Sequence, residues 1–89
     1  MPYIKNYDKT KFGHMLAVLK AEAVPSNAGE LNYLITVILH NYLLVNGGKY
    51  QQHNDILGVL SASSQEFYRR STAIYEDLKA KENGDVTTE

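Results

Sequence analysis

Several features are missing from this 89-residue chain, and each absence excludes a class of protein or site. The chain contains no cysteine, so neither a disulfide nor a thiolate metal site can form. Its longest apolar stretch, residues 31–45, is interrupted by polar residues and falls short of the roughly 20 residues that a membrane span needs. The first seven residues contain no apolar run, so we expect no signal peptide. These absences predict a soluble, cytosolic protein without a membrane partner.

Basic residues are not in excess, because the formal net charge is −1. A general nucleic-acid binder carries a basic face or stripe, so a nucleic-acid polymer is not an expected partner. A small ligand with one or two phosphates remains compatible with this charge, because it needs only a few local positive groups. The length is enough for one domain, and we predict a single helical domain over residues 1–89.

No arrangement of residues indicates a catalytic or metal-binding centre. His14, His40 and His53 lie on three different predicted segments. None of them is four residues from another His, Asp or Glu, the spacing that would place two metal ligands on one helix face. The serines at 61–64 lack the setting of a nucleophile elbow, and the glycines at 47–48 belong to no phosphate-loop pattern. We therefore predict neither enzyme activity, nor a metal, nor a cofactor.

The apolar periodicity predicts an all-α protein with three helical segments. The first begins near Asp8 or Thr10, both of which are suitable N-caps. Residues 24–29 contain proline, serine, asparagine and glycine, which favour a turn. The second segment runs from Glu30 to about Asn46 and ends at two glycines. It is apolar on more than one face, as in a largely buried helix, and its β-branched residues leave a strand as the alternative.

The third segment, from Lys49 to about Glu82, carries a heptad seam in which apolar residues alternate at steps of three and four. Its positions are Tyr50, His53, Leu57, Leu60, Ser64, Phe67, Ser71, Ile74 and Leu78. The small residues around Gly58 would let a second helix cross closely, and Gly58 itself leaves open whether the helix is continuous or broken there. A continuous helix would be roughly 50 Å long. Such a length predicts a homo-oligomer, with a tetramer favoured over a dimer, and residues 83–89 form a polar tail.

Both arginines of the chain, Arg69 and Arg70, stand side by side within one helical turn of Glu66 and Tyr68. Arginine offers a planar fork of donors that suits phosphate, and tyrosine offers a flat ring that suits a base. We predict a ligand site formed by these four residues and by Tyr75, which at a spacing of seven shares a helix face with Tyr68. The alternatives are a solvated helix face, in which Glu66 pairs with Arg70, and tyrosines that pack at a helix interface.

Asn32 and Tyr33 stand near the predicted start of the second segment. Unbonded backbone N–H groups and the helix dipole favour an anion at such a position. We therefore add both residues to the predicted ligand site. The alternative is that Asn32 supports the helix start and that Tyr33 packs.

Several separated motifs in this chain occur in an order that is typical of one family. They are Met-Pro-Tyr-Ile at 1–4, Glu30-Leu31-Asn32-Tyr33, Ile35-Thr36, Gly58-Val59-Leu60, Glu66-Phe67-Tyr68-Arg69-Arg70, Tyr75-Glu76-Asp77 and Asn83-Gly84-Asp85-Val86. Over nearly its whole length the chain resembles a widespread family of small helical tailed-phage proteins, which we associate with the anti-CBASS sponges. The family pattern often has a proline before the tyrosine of Tyr-Glu-Asp. Ile74 stands there in this chain, which predicts a smoother helix.

The resemblance implies a function that the residues alone do not give. Anti-CBASS sponges are helical homotetramers that bind a cyclic dinucleotide, such as cyclic GMP-AMP, and silence a bacterial immune signal without hydrolysing it. It therefore implies an immune-evasion protein in the cytoplasm of the infected bacterial host. The alternative is an oligomeric helical adaptor or inhibitor of a host or phage protein. An enzyme that degrades the signal would need a base, nucleophile or metal set that is not visible.

Overall fold

The computed structural model describes residues 2–87 and is all-helical, with no strand among these residues. The three predicted helical regions, the last of them long, are confirmed. The first region comprises α1 (Asn6–Lys9), a 3₁₀ turn (Thr10–Phe12) and α2 (Gly13–Ala21). The second is α3 (Ala28–Val45). The third comprises α4 (Tyr50–Phe67), a π-helical turn (Tyr68–Thr72) and α5 (Ala73–Asn83).

The predicted N-caps of the first region, Asp8 and Thr10, are wrong. The helix begins at Asn6, and the residue at its N-cap position, Lys5, is extended and makes no side-chain cap. Thr10 has the helical backbone angles φ −63° and ψ −33°, and its Oγ1 donates to the Tyr7 carbonyl oxygen at 2.7 Å. Both predicted caps therefore lie inside the helical run and not at the residue that precedes it.

Helix α3 begins two residues earlier than predicted because Asn27 caps it. Asn27 is extended (φ −157°, ψ 174°), and its Oδ1 accepts from the Glu30 N–H at 2.9 Å. The Glu30 side chain reaches back, and its Oε1 accepts from the Ser26 N–H at 2.8 Å. These two hydrogen bonds satisfy two backbone donors and resemble a capping box. The difference is that Glu30 accepts from Ser26, one residue before the N-cap, and not from the N-cap residue itself.

The predicted glycine stop of α3 is confirmed. Gly47 has a φ of 112° and Gly48 a φ of 62°, both in the left-handed region that disfavours residues with a Cβ. The Gly48 N–H donates to the Leu43 carbonyl oxygen at 2.8 Å, as in a Schellman motif. Gly84, which follows α5, also has a positive φ, of 86°.

The third region is not broken at Gly58, which lies within α4. Its irregularity is instead the π turn, where the Ala73 N–H donates to the Tyr68 carbonyl oxygen five residues earlier. A π turn takes up one more residue than an α turn, so two turns span about eight residues here instead of seven. The prediction of one unbroken heptad seam is therefore wrong beyond Phe67. Ile74 lies in regular helix, as predicted from the absence of proline there.

The chain consists of two compact units, Met1–Ile56 and Leu57–Glu89, which divide inside α4. None of the described residues is buried in either unit. The half-buried residues of the second unit are small or polar: Ala62, Glu66, Thr72, Ala73 and Ala80. Large apolar side chains are exposed in both units, so neither has an apolar core of its own. The single domain stays a prediction, as does the tail, of which Thr88 and Glu89 lie outside the described residues.

Candidate functional site

The π turn carries both arginines of the chain. Arg69 donates from Nε at 3.0 Å and from Nη2 at 2.6 Å to the same oxygen, Oε1 of Glu66. The Glu66 side chain is 19% exposed and that of Arg69 is 65% exposed, so the carboxylate is the shielded partner. An exposed ion pair of this kind contributes at most about 1 kcal/mol to stability. Its structural effect is to orient the guanidinium plane at the surface, beside the exposed Arg70.

Tyr68, the first residue of the π turn, is tied to α5. Its hydroxyl donates to Oε1 of Glu76 at 2.6 Å, across eight residues of sequence. This hydrogen bond raises the pKa of the Tyr68 phenol, and the charge of Glu76, partial desolvation and the charge of Asp77 raise it further. The phenol is thus held protonated, with its oxygen engaged and half of its surface exposed.

Tyr75 does not share a face with Tyr68, and that prediction is wrong. The π turn brings Glu76 into line with Tyr68, so Tyr75 lies about 100° further around the helix. The Lys79 Nζ lies 5.7 Å from the centre of the Tyr75 ring, within cation–π range. Tyr75 also lines an open cavity of about 620 Å³ formed by residues 75–86 at the end of α5 and the turn after it.

Asn32 and Tyr33 lie in the first unit and lack the helix-start geometry on which their prediction depended. Because α3 begins at Ala28, both lie beyond its first turn, where the backbone N–H groups are bonded within the helix. Asn32 Oδ1 accepts from the Thr36 hydroxyl at 3.1 Å. Tyr33 is 72% exposed. Their ligand contacts stay predictions, without support from the helix dipole.

Sequence reasoning missed Glu76 as a member of this site. In a regular helix residues eight apart point about 80° away from each other, so the spacing of Tyr68 and Glu76 gives no signal. A second missed contact joins α3 to the first turns of α4, where the Tyr42 hydroxyl donates to Oδ2 of Asp55 at 3.3 Å. Partial desolvation, together with the charge of Asp55 and this bond, raises the pKa of Tyr42.

The local charge around the π turn is close to balanced. Residues 66–86 include four basic and five acidic side chains. Any anion bound here would therefore depend on directed hydrogen bonds and on stacking, since a strong positive field is missing.

Among residues 2–87 no group of His, Asp and Glu side chains is placed to hold a metal ion. Within the same range, no helix has the length and apolarity required to cross a membrane.

Comparison with known proteins places the chain in a family but assigns it no activity. No curated protein matches it significantly. No solved structure does either. A family model, described as a domain of unknown function (DUF6899), matches residues 1–86. The chain therefore belongs to the DUF6899 family.

Proposed function

We propose that this protein binds and sequesters a cyclic dinucleotide, such as cyclic GMP-AMP, without hydrolysing it, and that it does so as a homo-oligomer, with a tetramer favoured. In the setting that the sequence resemblance implies, this would silence an immune signal in the cytoplasm of an infected bacterium. The observation that carries the proposal is the π turn, which brings Arg69 and Arg70 to the surface beside Tyr68.

The arrangement of the π turn matches the chemistry of such a ligand. A cyclic dinucleotide has two phosphates and two flat bases, which call for bidentate donors and aromatic faces. Glu66 orients the guanidinium of Arg69, and Glu76 fixes the Tyr68 hydroxyl, so both groups have preset directions. Preset groups lose less conformational freedom on binding.

Assembly is part of the proposal because the described residues lack a buried core. Twenty-four large apolar side chains are exposed among residues 2–87, including Leu57, Phe67 and Leu78 in the second unit. A second copy would cover part of this surface. A symmetric assembly would also present two copies of the arginine pair to a ligand that is itself close to two-fold symmetric.

Titration calorimetry with cyclic dinucleotides tests the proposal, using the wild type and the double variant Arg69→Ala/Arg70→Ala. The wild type should bind without any protein partner, and the variant should lose at least about tenfold in affinity, because each charge-assisted hydrogen bond contributes roughly 1.5–3 kcal/mol. The variant Lys9→Ala/Lys20→Ala is the matched control, since it removes the same charge from exposed positions far from the π turn in sequence and should bind as the wild type does. Equal binding by the arginine variant, or no binding by the wild type, rejects the proposal.

Recovery of the ligand separates sequestration from hydrolysis. Heating the complex should release the cyclic dinucleotide intact, as chromatography would show. Linear or cleaved nucleotide in the released fraction would instead indicate an enzyme.

A second candidate function is an oligomeric adaptor or inhibitor that binds a host or phage protein. The exposed apolar side chains favour it, because tyrosine and arginine beside apolar surface are common interface anchors. An adaptor of this kind would show no change in melting temperature with any cyclic di- or trinucleotide. A thermal-shift screen with these compounds therefore distinguishes the two functions.

A further inference from the structure

The cavity at the end of α5 is lined by groups of three chemical kinds. Its volume is about 620 Å³, within the range of roughly 300–1,000 Å³ that is typical of small-molecule sites. The lining includes the ring of Tyr75, the ammonium group of Lys79 and the carboxylates of Glu76, Asp77 and Asp85. We call it the α5 cavity. This combination suits a ligand that has a flat face, hydrogen-bond donors and hydrogen-bond acceptors.

Of the three carboxylates, that of Asp77 is the best placed to accept hydrogen bonds from a ligand. Oε1 of Glu76 already accepts from the Tyr68 hydroxyl, and Oδ1 of Asp85 accepts from the Thr87 N–H at 3.4 Å. Among the described residues, no hydrogen bond or ion pair engages Asp77, which is exposed. Its two oxygens can therefore accept from two adjacent donors on one ligand.

Lys79 supplies a donor to the α5 cavity and lies beside its aromatic ring. Its Nζ is 5.7 Å from the centre of the Tyr75 ring and 3.3 Å from Oε2 of Glu82. The lysine thus takes the place over the ring that an organic cation would occupy. The carboxylates of the cavity also form no group that is placed to hold a metal ion. A neutral ring with donors and acceptors of its own therefore fits the cavity better than a cation does.

Guanine carries the matching groups on one flat ring. Its N1–H and N2–H donors lie side by side and match the two oxygens of a carboxylate, while O6 and N7 are acceptors that suit a lysine. Adenine instead presents one amino donor beside an acceptor nitrogen, so it offers a carboxylate one hydrogen bond and a repulsive lone pair. Either base can stack on Tyr75, so the carboxylate decides between them.

The π turn places the α5 cavity in line with the arginine pair. It brings residues that are eight positions apart onto one side of the helix, as the bond between Tyr68 and Glu76 shows. By the same shift, Asp77 lies two turns after Arg69 on one side. Two turns are about 11 Å along the axis, comparable to the length of a nucleotide from its phosphate to the far edge of its base. A phosphate at Arg69 and a base at Asp77 can therefore belong to one nucleotide.

We propose that the α5 cavity is a guanine subsite, in which the base stacks on Tyr75, its N1–H and N2–H groups donate to Asp77, and Lys79 donates to its O6. The subsite rests on the proposed function, because it takes one base of the same cyclic dinucleotide. It gives that function a specificity, since a ligand that contains guanine is bound in preference to one that contains only adenine. The other base of the ligand is left for Tyr68.

Calorimetry with cyclic di-GMP and cyclic di-AMP tests this specificity. The wild type should bind cyclic di-GMP at least about tenfold more tightly, because a bidentate pair discriminates against the wrong base. Asp77→Asn presents one acceptor and one donor, which match adenine, so it should weaken cyclic di-GMP binding and strengthen cyclic di-AMP binding, each by about tenfold. Asp8→Asn makes the same change at an exposed position of α1 and should keep the wild-type preference.

The outcomes separate the subsite from the proposed function. Equal binding of the two ligands by the wild type, with affinity still lost in Arg69→Ala/Arg70→Ala, would overturn the guanine subsite and leave sequestration standing. An unchanged preference in Asp77→Asn would overturn it as well. If the wild type binds neither ligand, both the subsite and the proposed function are rejected.

Saturation-transfer NMR with guanosine and adenosine gives a second test, in which the probes carry no phosphate. Transfer to guanosine should exceed transfer to adenosine, both in the wild type and in Arg69→Ala/Arg70→Ala, because the subsite reads the base alone. Tyr75→Ala removes the ring on which the base stacks and should abolish the transfer to guanosine. Equal transfer to the two nucleosides in the wild type, or undiminished transfer to guanosine in Tyr75→Ala, would show that the α5 cavity is not a guanine subsite.

Discussion

The Tyr68 hydroxyl donates to Oε1 of Glu76 at 2.6 Å although Glu76 comes eight positions later in the chain. In a regular α-helix these residues would lie about 12 Å apart along the axis and about 80° apart around it. The π turn between them takes up the extra residue and places Glu76 two full turns after Tyr68. The irregular backbone and the side-chain bond therefore support each other, and the π turn gives the arginine pair its position.

The Tyr68–Glu76 bond predicts a loss of stability at high pH. The folded-state pKa of Tyr68 is raised above the unfolded value of about 10. Its contribution is therefore fully present below about pH 10 and is lost as the pH rises from there through the raised folded value. Tyr68→Phe should remove this part of the pH dependence of the free energy of unfolding, measured with urea at about pH 9 and about pH 11. Tyr75→Phe is the control and should leave it in place; an unchanged slope in Tyr68→Phe would contradict the prediction.

Deleting Ser71 should convert the π turn into a regular α turn without separating Tyr68 from Glu76. After the deletion the two residues are seven apart, which is two turns of an α-helix, so the pKa of Tyr68 should stay raised. Inserting one alanine after Ser71 should instead misalign the pair and lower the pKa of Tyr68 toward its ordinary value. The measurement is a spectrophotometric titration of each variant against its Tyr68→Phe counterpart. A pKa of Tyr68 that falls on deletion would show that the π turn does not set the alignment.

The features that were predicted correctly, such as the glycine stop of α3, depend on the local chemistry of a few residues. The features that were missed depend on the change in helical period at the π turn. Gly47 and Gly48 stop α3 as predicted, because left-handed backbone favours glycine. The start of α3 was predicted too late because the turn around Pro25 was extended through Gly29, whereas in the structure it ends at Asn27, which caps the helix. The π turn escaped prediction because steps of three and four fit the sequence on both sides of it. Glu76 was consequently missed, while the ligand role of the arginine pair stays a prediction.

Gly58→Ala tests the close helix crossing predicted around Gly58 in the assembly. No atom outside the local helix lies within 4 Å of a Cβ built at Gly58, so alanine fits the single chain and should raise helix stability by about 1 kcal/mol. In an oligomer whose helices cross closely there, the added methyl should weaken association. Gly13→Ala, which also meets no atom within 4 Å, is the control for helix content. Higher helicity with unchanged association in Gly58→Ala would argue against a close crossing.

Lysine substitutions at Arg69 and Arg70 test whether cyclic dinucleotide binding needs a planar guanidinium or only a positive charge. An ammonium group cannot reproduce the two parallel bonds that a guanidinium makes to phosphate, and it cannot keep both the Nε and Nη2 bonds to Glu66. Arg→Lys at the position that contacts phosphate should therefore weaken cyclic dinucleotide binding nearly as much as Arg→Ala, by about ten- to a hundredfold. Calorimetry on the two single variants identifies that position. Wild-type affinity in both would rule out bidentate recognition.

Substitutions at Tyr68 distinguish the contribution of ring stacking from that of the hydroxyl hydrogen bond, again measured by calorimetry. Tyr68→Ala should cost about 1–3 kcal/mol of binding free energy if the ring stacks on a base. Tyr68→Phe keeps the ring and loses only the bond to Glu76, so its effect on affinity should be smaller. Glu76→Gln retains an acceptor for the Tyr68 hydroxyl and is the matched control, expected to bind as Tyr68→Phe does or better. If Tyr68→Phe lowers affinity as much as Tyr68→Ala, the hydroxyl and its anchoring to Glu76 matter more than the ring face, and the stacking role is wrong.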